Sequence, residues 1–166
     1  MSSAIFYASS TGNTKEAAKL IAKTLGINDV FDISDTNIER INEYDKLIFG
    51  TSTWSNGDLQ DDWDDVWDEF CKLDFKNKTV ALFGLGDQES YNDTFVNAMG
   101  TMYEQVTAKN ANVVGAWSTQ GYVYEESKSQ KTDGEFVGLV LDEENQSEQS
   151  LNRIALWCEQ IKEKIV

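Results

Sequence analysis

The sequence predicts an α/β fold, a three-layer sandwich in which a five-stranded parallel sheet lies between helices. Short, almost continuous apolar runs alternate with longer segments whose apolar residues recur every three to four positions. This pattern is typical of buried parallel strands joined by amphipathic helices. The chain has 166 residues, of which 40% are hydrophobic, which is enough to fill one core. We therefore predict a single domain over residues 1–166 with the common strand order 2-1-3-4-5.

The individual elements follow from the apolar pattern. Strands are predicted at residues 4–8, 30–33, 46–50, 79–84 and 112–117, with 139–141 as a resumption of the fifth. The helices are predicted from stripes that bury one face, with Ser147 as the N-cap of the last. These stripes are Ala18, Ile21 and Leu25; Leu59, Trp63, Val66, Trp67 and Phe70; Phe95, Met99, Met102, Tyr103 and Val106; and Leu151, Ile154, Cys158, Ile161 and Ile165.

One segment interrupts the alternation of strand and helix. Residues 118–138 are polar and contain glycine, and an apolar run resumes only at Leu139. A structureless loop of this length is uncommon in a compact domain. The sequence therefore predicts an insertion of about residues 118–138 within the fifth strand.

The charge balance excludes several classes of partner. The chain has 29 acidic and 14 basic side chains, a formal net charge of −15. Such a surface repels nucleic acid and anionic lipid, and it steers basic protein surfaces towards itself. The alternative is that the acidity only keeps the protein soluble.

The composition also restricts the chemistry of the chain. It has no histidine, so histidine-based metal sites and Ser-His triads are excluded, and two distant cysteines do not make a zinc site. Cys71 and Cys158 are predicted to be buried, reduced thiols in helices. No catalytic side chain and no metal ligand is predicted, so any chemistry must come from a bound cofactor or from carboxylates. The sequence shows no signal peptide and no membrane-spanning run, so we expect a cytoplasmic protein.

The loop after the first strand has the features of a phosphate site. It follows a buried strand, opens a helix and contains one glycine among hydroxyl side chains. Unpaired amides at the helix start and the helix dipole favour an anion. The loop lacks the Gly-Lys-Ser/Thr ending of a Walker A motif, and it has too few glycines for a dinucleotide fingerprint. The alternative is a turn that only caps the helix. The candidate residues are Ser9, Ser10, Thr11, Gly12, Asn13 and Thr14.

Aromatic residues follow two other strands of the predicted sheet. Trp54 lies in the segment 50–58 after the third strand, and Tyr91 lies in the segment 84–91 after the fourth. The carboxyl ends of parallel strands meet at one edge, where ligands of such sheets bind. Two aromatic side chains there can face each other across a flat ring. Asn56-Gly57 is a turn pair that tolerates positive φ.

These motifs together resemble those of the flavodoxins, and the resemblance covers essentially the whole chain. It implies FMN as a non-covalently bound cofactor, with residues 9–14 at its phosphate. It further implies a first flavin loop with Trp54 on the inner ring face and a second with Tyr91 on the outer face, while Asp142 approaches the ribityl chain. The insertion resembles that of the long-chain subgroup. The remaining residues implied in the site are Thr53, Ser55, Asn56, Gly57, Leu85, Gly86, Asp87 and Thr94.

Two positions depart from the family pattern. Leu85 stands where long-chain members often have a hydroxyl residue, and Thr94 stands where they often have asparagine. Each change removes or alters a polar group that is available to the cofactor.

The resemblance implies a low-potential one-electron carrier, an electron-transfer protein and not an enzyme. Its partners are then basic surfaces of redox proteins, such as a flavodoxin/ferredoxin-NADP reductase or an oxidoreductase that needs low-potential electrons, and the chain is expected to be a monomer. The main alternative is a flavin-dependent NAD(P)H quinone reductase on the same fold, which needs an open pocket over the flavin. A nucleotide-sensing or adaptor domain that has lost its flavin is a third, non-redox possibility.

Overall fold

The computed structural model describes residues 2–54 and 57–166. Its strands are β1 (Ser3–Tyr7), β2 (Asp29–Asp32), β3 (Lys46–Trp54), β4 (Asp58–Leu59), β5 (Thr79–Leu85), β6 (Asn112–Val114), β7 (Trp117–Ser118), β8 (Gln130–Thr132), β9 (Glu135–Phe136) and β10 (Leu139–Leu141). Its α-helices are α1 (Asn13–Leu25), α2 (Asp61–Asp65), α3 (Trp67–Phe70), α4 (Asn97–Ala108) and α5 (Ser150–Ile165). Within these residues, no helix combines the length and the apolar character that crossing a bilayer requires.

The central sheet has the predicted parallel order. Its strands follow one another as β2-β1-β3-β5-β10, and β6 pairs with β5 as well. In β1, Phe6 lies opposite Phe49 on β3, and Phe49 lies opposite Leu82 on β5. The predicted fold class is therefore confirmed.

The fifth strand is divided between two segments of the chain. β6 pairs in parallel with residues 79–81 of β5, and β10 pairs in parallel with residues 83–85 of the same strand. The two segments thus extend one edge of the sheet end to end, as an insertion within the strand requires. Between them, β7, β9 and β8 form a separate three-stranded antiparallel sheet.

Two apolar clusters cover the two faces of the sheet. Alternate residues of a strand point to opposite faces, so Phe6 belongs to one cluster and its neighbour Ile5 to the other. The cluster around Ile5 includes residues of α1 and α5, such as Ile21 and Ile154. The cluster around Phe6 includes side chains of α2, α3 and α4: Trp63, Phe70, Met99, Met102 and Val106.

The predicted helix from Leu59 to Phe70 is wrong in its extent. Leu59 belongs to the short strand β4 and pairs with Thr53, which closes a hairpin after β3. The Gln60 side chain then accepts hydrogen bonds from the N–H groups of Asp62 and Trp63, and so caps α2. At Val66 the backbone leaves helical geometry, with φ −108° and ψ 9°. Of the predicted stripe, Trp63 on α2 and Phe70 on α3 are fully buried. Leu59, Val66 and Trp67 are partly buried against the same core.

Three further sequence predictions need correction at their boundaries. Ser147 is not the N-cap of the last helix, because it begins a short 3-10 turn and α5 starts at Ser150 without a side-chain cap. Phe95 is buried but precedes α4. Trp117 pairs with Phe136 in the small sheet and does not extend the fifth strand. Leu151 was predicted to lie on the buried face of the last helix, but it is 67% exposed. Apolar periodicity thus identified the burial of Phe95 but not the boundaries of the helices or the backbone pairing of Trp117.

The cysteines differ in their environment. Both are free thiols, and Cys158 is 1% exposed, whereas Cys71 lies just after α3 and is half-buried. Burial raises the pKa of the Cys158 thiol from its ordinary value of 9.0 to about 11. The unfolded chain therefore releases this proton at a lower pH than the folded chain does.

Stability is expected to fall between pH 9 and pH 11 because of Cys158. The contribution of the neutral thiol to stability is complete below pH 9, the pKa in the unfolded chain, and is lost as the pH rises towards the folded-state pKa of about 11. At pH 10 the loss is about 1 kcal/mol. Urea unfolding of the wild type and of Cys158→Ala at pH 8 and at pH 10 measures this loss of stability. We expect a smaller pH-dependent loss in Cys158→Ala; an identical loss in both proteins would exclude this thiol as the cause.

Candidate functional site

A cavity of about 190 Å³ opens where the carboxyl ends of β1, β3, β5 and β10 meet. Parallel strands bring these ends to one edge, so the segments that follow them in sequence become neighbours. The cavity is lined by Thr11, Asn13, Thr14, Ser52, Thr53, Trp54, Leu85, Gly86, Asp87, Tyr91, Glu143 and Glu144. Side chains from four separate parts of the chain therefore form one site.

The first wall is the start of α1. Gly12 adopts a left-handed conformation, with φ 95°, and its N–H donates to Ser9 Oγ at 3.0 Å. The turn leads directly into a helix of 13 residues that has no side-chain cap. No described residue accepts a hydrogen bond from the backbone N–H of Asn13, Thr14 or Lys15. These donors, together with the helix dipole, make the wall suitable for an anion.

Two partly exposed aromatic side chains form further parts of the wall. Trp54 ends β3 and is 40% exposed, and Tyr91 follows β5 and is 44% exposed. Most other aromatic side chains of the protein lie in the two cores, for example Trp63 and Phe83, which are both 0% exposed. Large apolar surfaces left open to water at a cavity mark a binding site for an apolar, flat ligand.

Carboxylates supply the charge of the site. Asp87, Glu143 and Glu144 all line the cavity, and no lysine or arginine does. Burial raises the pKa of Asp87, but hydrogen bonds from Ser90, Asn145 and the Glu89 N–H outweigh this effect, so the pKa lies below its usual value. The bonds from the Ser90 N–H and from Asn145 Nδ2 measure 2.9 and 2.8 Å. Asp87 therefore stays ionised in mildly acidic solution.

Most of the residues predicted for the site lie together. Thr11, Asn13, Thr14, Thr53, Trp54, Leu85, Gly86, Asp87 and Tyr91 all line the cavity. Ser9, Ser10 and Gly12 shape the loop behind it, where Ser10 Oγ accepts from Gln60 Nε2 at 2.9 Å. Ser55 and Asn56 lie outside the described residues.

Gly57, Thr94 and Asp142 are not among the residues that line the cavity. Gly57 has the predicted positive φ, 95°, and a Cβ added there would come within 2.8 Å of Asn97 Nδ2. Thr94 Oγ1 is buried and has no hydrogen-bond partner among the described residues.

Asp142 differs most from its expected position. It is 0% exposed, and its carboxylate accepts hydrogen bonds from the backbone N–H and the side-chain amide of both Gln88 and Asn145. Three of these donors bond Oδ2 and one bonds Oδ1, so the carboxylate is held within the protein. The adjacent acids Glu143 and Glu144 line the cavity in its place.

Sequence reasoning missed three residues of the wall, Ser52, Glu143 and Glu144. Asp142 alone separates the two glutamates from the end of β10, so the rule that directed attention to the ends of the first, third and fourth strands also applies to them. Among the described residues, no group of three acidic or cysteine side chains could hold a metal ion.

The flavodoxin family model, described as "Flavodoxin", matches residues 5–157 of the chain. The flavodoxin of Picosynechococcus sp. is 43% identical over 161 residues, which is 95% of this chain and 94% of the relative. Flavodoxin 1 of Escherichia coli strain K12 is 44% identical over 163 residues, which is 97% of this chain and 93% of the relative. A crystal structure of Fusobacterium nucleatum flavodoxin bound to flavin mononucleotide shares 34% identity at a TM-score of 0.91 and covers 98% of both chains. This chain therefore belongs to the flavodoxin family.

Proposed function

We propose that this chain binds one FMN without a covalent bond and carries single electrons between redox enzymes. The observation that carries the proposal is the cavity. It combines a helix start that has no side-chain cap and is lined by hydroxyl groups with two partly exposed aromatic side chains. FMN has a phosphate for the first feature and a flat ring for the second. The FMN-bound relative with a TM-score of 0.91 supports the same assignment.

The residues present fit this cofactor. Thr11, Asn13 and Thr14 offer side-chain donors beside the free backbone N–H groups of α1, and each hydrogen bond to a charged phosphate contributes roughly 1.5 to 3 kcal/mol. Trp54 and Tyr91 would flank the ring, while Thr53, Leu85 and Gly86 would contact its edge. Thr94 Oγ1 has no hydrogen-bond partner among the described residues but does not line the cavity, and Thr94 stands where relatives of the long-chain type often have asparagine. Ser55 and Asn56 complete the first flavin loop in this proposal.

When bound, FMN supplies the redox chemistry by accepting and releasing electrons. The protein contributes the electrostatic environment, because Asp87, Glu143 and Glu144 oppose any added negative charge in the cavity. A carboxylate about 10 Å from such a charge costs roughly 1.7 kcal/mol at an effective dielectric constant near 20. That corresponds to about 70 mV for one electron. These residues therefore favour a low-potential carrier.

A carrier fits the site better than an NAD(P)H quinone reductase does. A reductase needs an open ring face on which a second substrate can lie. Trp54 and Tyr91 both line the cavity, and a ring held between them would present only its edge. Exchange of electrons through an edge needs proximity to a partner but no substrate pocket.

The finer assignments follow from the same proposal. The whole chain acts as one FMN-binding domain of the long-chain subgroup, with the insertion 118–138 as the distinguishing segment. It functions as a monomer in the cytoplasm. The net charge of −15 favours partners with basic docking surfaces, such as a flavodoxin/ferredoxin-NADP reductase or an oxidoreductase that takes low-potential electrons.

Stepwise anaerobic reduction of the FMN-loaded protein with dithionite, followed by absorbance, tests the proposal. We expect two separate one-electron steps, with a long-wavelength absorbance band that appears after the first electron and disappears after the second. A single two-electron step, or steady turnover of NAD(P)H with a quinone by the pure protein, would favour the reductase. Failure to bind added FMN would refute both.

A further inference from the structure

Gln60 is a buried side chain beside the hydroxyl loop at residues 9–14, and the proposed function gives it no role. It directly follows β4 and is 1% exposed, and it is not among the residues that line the cavity. Its Nε2 donates a hydrogen bond to Ser10 Oγ at 2.9 Å. A buried amide thus contacts one hydroxyl group of the loop directly.

The other hydrogen bonds of Gln60 determine which way its amide faces. Its Oε1 accepts from the N–H of Asp62 at 2.7 Å and from the N–H of Trp63 at 3.4 Å, at the start of α2. The atom that accepts from two backbone N–H groups must be the carbonyl oxygen, because the amide nitrogen only donates. Nε2 is therefore the atom that faces Ser10, and it also donates to Asp62 Oδ2 at 3.1 Å.

The backbone on both sides of Gln60 is held against β3. The preceding residue, Leu59, pairs with Thr53 in the hairpin of β3 and β4. Trp63, on α2, is fully buried, and its Nε1 donates to Gly50 O at 2.9 Å. Because these neighbours fix the Gln60 side chain before a ligand arrives, little further conformational entropy is lost when one binds.

The bond from Gln60 determines how the Ser10 hydroxyl group can act. A serine hydroxyl has one proton, which rotates about the Cβ–Oγ bond. That proton cannot point towards Gln60, because Nε2 already donates to the oxygen from that side. Among the described residues, none accepts a hydrogen bond from Ser10 Oγ, and Ser10 is exposed just before Thr11, which lines the cavity. Its proton is therefore free for a ligand.

The direction of this proton matters because the loop has no cation of its own. Residues 9–14 contain neither lysine nor arginine, so a phosphate there depends on N–H and O–H donors. Ser9 is turned in the same sense, since its Oγ accepts from the Gly12 N–H at 3.0 Å. A hydroxyl group turned the other way would present its oxygen to a phosphate oxygen, which is repulsive.

We propose that Gln60 is a positioning residue for the cofactor phosphate. Its amide keeps the Ser10 hydroxyl turned outward as a donor, and so increases the affinity for FMN relative to riboflavin, which lacks the phosphate. The inference rests on the proposed function, because it needs FMN in this cavity with its phosphate at the start of α1. Gln60 itself touches no ligand and acts through Ser10.

Gln60→Glu reverses the hydrogen bond and leaves the helix cap in place. One carboxylate oxygen still accepts from the N–H groups at the start of α2, while the other replaces the donor with an acceptor. At pH 8 the carboxylate is ionised, so it takes the proton of Ser10 away from the phosphate. We expect roughly tenfold weaker FMN binding, the effect of one lost hydrogen bond to a charged group, and nearly unchanged riboflavin binding.

Ser10→Ala separates the hydroxyl group from the added charge. The carboxylate of Gln60→Glu also repels the phosphate directly, and that repulsion is the same whether or not residue 10 has a hydroxyl group. Fluorescence titration of the apoproteins with FMN and with riboflavin is therefore made for wild type, Gln60→Glu, Ser10→Ala and the double variant. We expect the loss of FMN affinity caused by Gln60→Glu to be roughly tenfold smaller when residue 10 is already alanine.

An equal loss of FMN affinity in the two backgrounds would overturn the proposal, as would an equal loss for FMN and riboflavin. If Gln60→Glu does not fold, Gln60→Met replaces it in the same four-protein comparison, and its loss for FMN must vanish in the Ser10→Ala background. Failure of the proposed function is a separate result, because in that case the wild type itself does not bind FMN.

Discussion

Replacement of Thr14 by valine is expected to weaken FMN binding by roughly 10- to 150-fold, the cost of one lost hydrogen bond to a charged phosphate. Thr14 lies in the first turn of α1, is 2% exposed and lines the cavity. Valine keeps its shape and removes only the hydroxyl group. Fluorescence titration of the apoprotein with FMN measures the change.

Riboflavin and a serine variant provide the controls for Thr14. Riboflavin lacks the phosphate, so its affinity should be nearly equal in wild type and Thr14→Val. Thr14→Ser retains the hydroxyl group and should bind FMN almost as tightly as wild type. If Thr14→Val lost affinity for FMN and riboflavin equally, the start of α1 would not be the phosphate site.

Gly138→Ala is expected to destabilise the fold by about 3 kcal/mol or more, because overpacking against backbone cannot be relieved by a side-chain rotation. Gly138 lies just before β10, where a Cβ would overlap the carbonyl oxygen of Leu82 and lie 2.8 Å from its carbonyl carbon. β10 would then have to move away from β5. Because domains are stable by only about 5 to 15 kcal/mol in total, urea unfolding should detect the change readily.

Gly134→Ala is the matched control in the same insertion. Gly134 has φ 82° but no atom within 4 Å of an added Cβ. Its replacement should therefore cost only the conformational term, about 1 kcal/mol. Equal losses in the two variants would show that the contact with Leu82 is not the cause.

Much of the fold was predictable because buried segments are recognised by their apolar residues. A strand buried on both faces must be apolar throughout, so residues such as Ile5, Phe6, Leu47 and Ile48 identify their strands. The order of the sheet followed because the connections alternate with helices. The division of the fifth strand was also visible, since the polar insertion separates the two apolar runs at residues 112–117 and 139–141.

The boundaries were less predictable because apolar periodicity does not report backbone pairing. Leu59 is spaced as a helical residue, yet its backbone pairs with Thr53. Trp117 is apolar and follows a strand, yet it pairs with Phe136 in a second sheet. Which partner a backbone group finds depends on chain segments that are distant in sequence.

The residues of the candidate site also divide into those that could be predicted from the sequence and those that could not. The hydroxyl loop at residues 9–14 and the aromatic residues Trp54 and Tyr91 could be selected from sequence, because each follows a strand whose carboxyl end must reach one edge of the sheet. The position of Asp142 could not be predicted. It is enclosed by hydrogen bonds from Gln88, which lies in the loop after β5, and from Asn145, three residues further along its own loop.

The sequence by itself therefore determined the fold class, the edge of the sheet where the cofactor site lies and the kind of ligand it suits. Local chemistry was sufficient for these, since strand, turn and helix start are all encoded by neighbouring residues. Only the tertiary structure decided that Glu143 and Glu144 reach the cavity while Asp142 is enclosed, and that Gln60 contacts Ser10. These arrangements depend on hydrogen bonds between residues 50 or 54 positions apart, and no local pattern records them.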